Sequence, residues 1–158
     1  MVISKLNKQR VMDALARLQE YVLVLREFSL MREEVFLSDK RNPATVESYL
    51  RRSLETVFDI GRHILSKTFG LKELEYKQIA RLLGEKGIIS PDYAPLLLRM
   101  AGYRNRMVHF YSEVTNKELY RIVRGELSDV EQFASEIVRF LERYRASETQ
   151  PPQRPQGS

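Results

Sequence analysis

Residues 43–70, PATVESYLRRSLETVFDIGRHILSKTFG, contain the periodic pattern from which the fold class is predicted. Apolar residues recur along this stretch at spacings of three and four, as on one face of an amphipathic helix. They are Val46, Leu50, Leu54, Val57, Phe58, Gly61 and Leu65. Asn42 before Pro43 is a typical helix start, and Gly70 is placed to stop the helix. The stretch therefore predicts one long helix that ends near Thr68.

The segments on either side show the same helical period. Further helices are predicted at about residues 4–28 and 72–86, with a short helix or turn at 29–39. Another helix is predicted to open at Ser90-Pro91-Asp92. A final helix follows a capping box that starts at Thr115, and Gly125 is expected to bend it. Because no strand pattern is present, the predicted fold is all-α, an antiparallel bundle of four to five main helices.

The composition is that of one ordinary domain followed by a polar tail. Apolar residues make up 43% of the 158 residues and charged residues 30%, enough for a sizeable core. The helical domain is predicted to span residues 1–146. Residues 147–158, SETQPPQRPQGS, hold three prolines, one glycine and no large apolar side chain. A disordered tail is therefore predicted for this segment.

Charge and residue counts narrow the function classes. Lys+Arg 26 against Asp+Glu 21 gives a net charge of +5, a mild excess that suits an anionic partner. The absence of cysteine excludes disulfides, thiolate zinc sites and cysteine nucleophiles. Two histidines, His63 and His109, are too few for a histidine-rich metal site, so no metal or cofactor is predicted. Without a long apolar run or a signal peptide, a cytoplasmic protein with no membrane contact is expected.

Residues 103–111, YRNRMVHFY, combine a permanent cation, an amide and an imidazole within a turn and a half of helix. Asn105 and His109 are four residues apart and share one helix face, while Arg104 and Tyr111 share another. Arginine binds phosphate and imidazole transfers protons near neutral pH, so this group suits a phosphodiester. The alternative is an arginine-rich amphipathic helix that carries a histidine by chance.

The polar side of the 43–70 helix holds a second group of candidates. Arg52, Glu55, Asp59 and His63 fall within about a quarter of the helix circumference. One interpretation is a solvated face with a surface pair between Asp59 and His63, of little energetic weight. The other is that Asp59, His63 and Arg52 line the same cleft as His109.

The spacing Arg104-Asn105-x-x-x-His109 resembles the signature of the HEPN superfamily, an arginine and a histidine with four to six residues between them. The longer form, with Phe110 and Tyr111 after the histidine, resembles the HepT branch. The proteins of that branch are the toxin halves of toxin–antitoxin pairs with a minimal nucleotidyltransferase. Residues 49–64, 79–89 and 119–123 are also similar to the family, so the resemblance covers roughly residues 3–145.

The resemblance implies metal-independent cleavage of RNA at the face of a homodimer. His109 is then expected to transfer a proton to or from the ribose 2′-hydroxyl or the leaving oxygen. Arg104 is expected to bind the phosphate and to stabilise the charge of the transition state, and Asn105 to hold the substrate or the imidazole. One motif histidine per chain leaves the acid–base pair incomplete, which makes a dimer with two of them chemically attractive.

In that branch the partner nucleotidyltransferase neutralises the toxin by transferring adenylyl groups to the motif tyrosine, here Tyr111. The added phosphodiester would bring negative charge close to Arg104, seven residues earlier. The alternative for Tyr111 is a packing aromatic beside Phe110. The alternative for the whole chain is a non-catalytic helical subunit that helps a nucleotidyltransferase to bind its nucleotide or substrate.

Overall fold

The computed structural model describes residues 6–109 and 114–149, and these ranges contain helices and no strand. The helices are α1 (Lys8–Ser29), α2 (Glu33–Ser38), α3 (Arg41–Phe69), α4 (Tyr76–Glu85), α5 (Ala94–His109), α6 (Asn116–Gly125) and α7 (Leu127–Thr149). Four of them, α1, α3, α5 and α7, have 16 or more residues. The prediction of an all-α bundle is confirmed.

Helix α3 lies at the centre of the bundle. Its apolar stripe is buried on every turn; Val46, Val57, Phe58 and Leu65 have no exposed surface. Each of the other described helices packs against α3. Burial of a side chain the size of valine, leucine or phenylalanine stabilises the fold by about 1.5–3 kcal/mol. The periodic stripe that predicts α3 is therefore also the centre of the core.

Helix α4 approaches α3 closely at Gly61. A Cβ atom on Gly61 would lie 2.8 Å from Ile79 Cγ2 and 2.9 Å from Leu83 Cδ1, closer than packed carbon atoms come. Ile79 and Leu83 are fully buried there. The absence of a side chain at Gly61 therefore allows α4 to pack this close to α3.

Three hydrogen bonds tie the segment just before α5 to α7. The Ser90 hydroxyl donates to Glu136 Oε1 over 2.6 Å, and the Ser90 amide donates to Glu136 Oε2 over 3.1 Å. The Tyr93 hydroxyl donates to the carbonyl oxygen of Asp129 over 2.7 Å. Burial raises the pKa of Tyr93, so its hydroxyl remains a donor. These bonds satisfy polar groups that the bundle removes from water.

Helix α5 itself is joined to α6, and to Glu126 between α6 and α7, by ion pairs and a hydrogen bond. Arg106 binds both carboxylate oxygens of Glu118, over 2.7 and 2.8 Å. Arg99 and Tyr103 both donate to Glu126, at 3.0 and 2.9 Å. The contacts with Glu118 and Glu126 thus hold α5 in place at two positions along its length.

Several predicted helix ends are shifted. Helix α3 begins at Arg41, before the predicted start, because the Asn42 amide donates to the Phe36 carbonyl oxygen instead of capping α3. Ser90 likewise bonds to Glu136, and α5 begins only at Ala94. The predicted caps at Gly70 and Thr115 are confirmed: Gly70 is left-handed with φ 69°, and Thr115 Oγ1 accepts from the Glu118 amide.

The predicted final helix is two helices. Helix α6 ends at Gly125 and α7 begins at Leu127, so the helix is interrupted where only a bend was expected. Helix α7 continues to Thr149, three residues past the predicted domain boundary at 146, and residues 150–158 of the predicted tail lie outside the described residues. No helix in the two described ranges is long and apolar enough to cross a membrane.

We predict that Gly61→Ala destabilises the fold by about 1–3 kcal/mol, because the added methyl group meets two buried side chains. The free energy of unfolding in urea measures the change. Gly102→Ala is the matched control, since a Cβ at Gly102, inside helix α5, meets nothing within 4 Å. That variant is expected to gain about 0.5–1 kcal/mol from helix propensity. Equal stability of the two variants would contradict the close approach at Gly61.

Candidate active site

Three motif residues line one groove on the surface of the bundle. Arg104, Asn105 and His109 of α5 face Arg62 of α3 and Tyr76 at the start of α4 across a space of about 660 Å³. Glu75 lines the same space. We call this space the motif groove. It brings together the three residues that the sequence pattern singles out as catalytic.

Arg104 is held by an aromatic ring. Its guanidinium carbon lies 4.0 Å from the centroid of the Tyr76 ring, and its side chain is 15% exposed. The nearest carboxylate is Glu55, with Oε1 3.8 Å from Arg104 Nη2, too far for a hydrogen bond. Stacking on a ring orients a guanidinium and leaves its N–H groups free to bind an anion.

Tyr76 supports a second guanidinium as well. The Arg62 guanidinium carbon lies 5.4 Å from the same ring centroid, and Arg62 Nη2 donates to the Leu74 carbonyl oxygen over 3.3 Å. On the core side, the Tyr76 ring lies 5.1 Å from the ring of Phe58, which has no exposed surface. Tyr76 therefore links the rigid core to both cations of the motif groove.

The polar side chains of the motif have few internal partners. His109 is exposed and Asn105 is half-buried, and no described residue hydrogen-bonds to either side chain or to the Arg104 guanidinium. Arg104 Nε is buried without an acceptor among the described residues. The groove thus offers a fixed cation, an amide and an imidazole to a molecule that enters from solvent. This set can bind a phosphodiester and move a proton beside it.

The structure does not bring Asp59, His63 and Arg52 to the motif groove. His63 is buried against α1, only 8% exposed, and lines a separate hollow together with Asp59. Arg52 lies 5.5 Å from the Tyr49 ring centroid. The surface pair between Asp59 and His63 is absent too, since Asp59 binds Arg62 over 3.1 Å. Packing of α1 on this side of α3 separates these residues from α5.

Sequence reasoning missed Tyr76 and gave Arg62 no role. Tyr76 comes from another helix, 28 residues before Arg104, and no spacing along the chain links the two. Glu55 is the one residue of the predicted polar face that comes near Arg104. The modification candidate Tyr111 lies outside the described residues. Within the described ranges, no three histidine, aspartate or glutamate side chains come together to hold a metal ion.

Solved structures resemble the whole bundle. YutE of Bacillus subtilis superposes with a TM-score of 0.73 at 16% identity, over 96% of this chain and 97% of that one. A tri-AMPylated HEPN toxin of Shewanella oneidensis, solved in complex with MNT antitoxin, superposes with a TM-score of 0.73 at 23% identity, over 82% and 96%. At these low sequence identities, the similarity is evidence for a shared fold alone.

Sequence comparisons are more specific. The chain is 25% identical over 121 residues to the tRNA nuclease HepT of Aphanizomenon flos-aquae, which covers 77% of this chain and 82% of that protein. It is 32% identical over 92 residues to the mRNA nuclease HepT of Shewanella oneidensis, which covers 56% and 66%. The family model described as Ribonuclease HepT-like matches residues 13–137, most of the helical bundle and all of the motif groove. The chain therefore belongs to the HepT-like family of ribonucleases.

Proposed function

We propose that this protein is the toxin of a toxin–antitoxin system and acts as a metal-independent endoribonuclease through Arg104, Asn105 and His109. The observation that carries the proposal is that these three side chains line one groove open to solvent, with Arg104 stacked on Tyr76 and in only a long ion pair, 3.8 Å, with Glu55. Family membership and relatives that are named tRNA nuclease and mRNA nuclease support it.

The proposed reaction is a phosphoryl transfer within the RNA strand. The ribose 2′ oxygen attacks the adjacent phosphorus, the bond from phosphorus to the 5′ oxygen of the next nucleotide breaks, and a cyclic phosphate and a 5′-hydroxyl form. A base removes the 2′ proton and an acid protonates the leaving oxygen. His109 performs one of these transfers. Arg104 binds the non-bridging oxygens, whose charge rises in the transition state, and Asn105 orients the substrate or the imidazole.

Two proton transfers favour two imidazoles at one site. The only other histidine, His63, is buried outside the motif groove, so the second imidazole does not come from the same chain. His109 lies at the exposed end of α5, where a second copy of the chain can approach. A homodimer with two motif helices side by side then supplies both the acid and the base.

The proposed antitoxin is a minimal nucleotidyltransferase that adenylylates Tyr111, two residues after His109. Support comes from a similar structure described as a tri-AMPylated HEPN toxin with MNT antitoxin, and from a second described as a toxin–antitoxin with AMP-PNP. The latter superposes with a TM-score of 0.70 at 22% identity, over 80% of this chain and 96% of that one. An adenylyl phosphodiester on Tyr111 would compete with RNA for Arg104.

A non-catalytic binding subunit is the alternative function. Arg104 is mostly buried beside Tyr76 and 3.8 Å from Glu55, and a structural arginine can be held in this way. The two functions differ in one measurable respect. A binding subunit leaves RNA intact, whereas the proposed toxin cuts it in the absence of its antitoxin.

We predict that the purified, unmodified protein cleaves cellular RNA in the presence of EDTA and leaves cyclic phosphate ends. His109→Ala is expected to lower the rate about 10²–10⁴-fold through loss of proton transfer. Arg104→Ala is expected to lower it about 10²–10³-fold through loss of charge stabilisation. Gel analysis of RNA fragments and of their ends measures both effects.

Arg99→Ala is the matched control, because Arg99 lies on the same helix and is paired with Glu126. Its rate should stay near that of the wild type. A mixture of equal amounts of wild type and His109→Ala tests the dimeric site. After the subunits have exchanged at random, about a quarter of the dimers hold two wild-type chains. If two imidazoles are needed, activity therefore falls to about a quarter of that of the wild type at the same total protein concentration. A fall to about half contradicts a shared site, and intact RNA with wild type contradicts the nuclease.

Tyr76→Leu is expected to lower kcat/KM roughly 2- to 30-fold, the range of a lost cation–π contact, because Arg104 and Arg62 lose their common support. Tyr76→Phe keeps the ring and should retain most of the activity. Initial rates on a short RNA substrate distinguish the two variants. Equal losses in both would mean that the hydroxyl group, not the ring, is the part of Tyr76 that matters.

We predict that Tyr111→Phe stays toxic when the cognate nucleotidyltransferase is co-expressed, because the acceptor hydroxyl is missing. Intact mass is expected to show adenylyl groups on wild type and none on this variant. Tyr103→Phe is the control, since Tyr103 donates to Glu126 and is not a proposed acceptor. Rescue of the Tyr111→Phe strain with the adenylyl mass retained would exclude Tyr111 as the target.

A further inference from the structure

A small polar hollow lies between α1 and α3, apart from the motif groove. Its volume is about 110 Å³, and Arg10 and Arg17 of α1 face Thr56, Asp59 and His63 of α3 across it. None of these residues belongs to the motif of α5. We call this space the α1–α3 hollow.

The buried member of the hollow is His63, whose side chain is 8% exposed. Its Nε2 atom is inaccessible, and no described residue hydrogen-bonds to it. Burial lowers the pKa of His63, and the positive charges of Arg10 and Lys67 lower it further, so the imidazole is neutral at neutral pH. A neutral imidazole with its proton on Nε2 is a hydrogen-bond donor. Buried polar atoms are normally paired, so an unpaired imidazole on the wall of the hollow marks this space as a candidate binding site.

The two arginines of the hollow are also unpaired. Arg10 and Arg17 are seven residues apart on α1, on one helix face, and neither guanidinium forms an ion pair or hydrogen bond with a described residue. The only carboxylate of the hollow, Asp59, is engaged by Arg62 over 3.1 Å. The hollow is therefore lined by two guanidinium groups that have no partner among the described residues and by the buried imidazole of His63.

We propose that the α1–α3 hollow is a second anion site, which binds one phosphate group through Arg10, Arg17 and His63. The volume is several times the roughly 10–15 Å³ that one water molecule needs in a cavity, which is enough for a tetrahedral oxyanion. Guanidinium groups bind phosphate oxygens in pairs, and the imidazole N–H supplies a donor from the protein side. Asp59 lies at the hollow but is neutralised by Arg62.

The phosphate that we assign to this site belongs to the backbone of an RNA strand, and this part of the inference rests on the proposed function. The ion pair between Asp59 and Arg62 connects the two sites, because Asp59 lines the hollow and Arg62 lines the motif groove. A strand with one phosphate at Arg104 would then place another at the hollow. The site would position RNA without taking part in bond cleavage.

The first experiment titrates the full chain with inorganic phosphate and follows the imidazole signals by NMR. Only two histidines are present, and His109→Gln assigns them. The signals of His63 are expected to shift saturably. Arg10→Gln with Arg17→Gln should abolish the shift, whereas Arg32→Gln with Arg121→Gln, which removes the same charge from exposed positions just before α2 and on α6, should retain it. His63 signals that do not respond to phosphate in the wild type would overturn the site.

A second variant covers the case in which the double substitution does not fold. His63→Leu removes the buried unpaired nitrogen, so its melting temperature in chloride is expected to rise above that of the wild type. At equal ionic strength, phosphate should raise the melting temperature of the wild type more than that of His63→Leu. An equal rise in both proteins contradicts binding at His63, because only the general effect of phosphate on protein surfaces is then present.

A third experiment, on RNA binding, identifies the source of the phosphate. In the His109→Ala background, binding of a single-stranded RNA is measured at several salt concentrations. Loss of one phosphate contact in the Arg10→Gln, Arg17→Gln variant should reduce the slope of log K against log salt by about 0.7. An unchanged slope together with a His63 shift supports a site for free phosphate and overturns the RNA source. If the wild type cleaves no RNA, the proposed function fails, and the phosphate titration still decides the anion site.

Discussion

The central position of α3 is the constraint on which the other elements depend. Each of the other described helices packs against it, and its apolar side chains are buried on successive turns. At Gly61 the absence of a side chain lets α4 approach, and the first residue of that helix, Tyr76, then lies against Phe58. The motif groove is built on this contact, because Tyr76 supports Arg104.

The arginines of α5 have different partners, and the difference separates structural roles from the candidate catalytic role. Arg99 and Arg106 bind the carboxylates of Glu126 and Glu118, which joins α5 to the helices that follow. Arg104 stacks on Tyr76, and its ion pair with Glu55, at 3.8 Å, is too long for a hydrogen bond. A carboxylate neutralises a guanidinium and occupies its donors, whereas a ring orients it and leaves charge and donors available. Only Arg104 among these three is suited to bind a phosphate.

The candidate site was predictable to the extent that it is local. Arg104, Asn105 and His109 lie within six residues of one helix, so their spacing in the sequence already indicates a joint site. His63 could not be assigned in the same way. Its spacing from Asp59 predicts a surface pair or a cleft residue, but α1 packs over it and Asp59 turns to Arg62 instead.

The sequence by itself determined the helical class, the positions of the long helices, two of their caps and the motif with its family resemblance. These features depend on periodicity and on neighbours within a few residues. Only the tertiary structure decided that Tyr76 meets Arg104, that Ser90 bonds to Glu136 instead of capping α5, and that His63 faces Arg10 and Arg17. These pairings join residues far apart in the chain, and helix packing brings them together or keeps them apart.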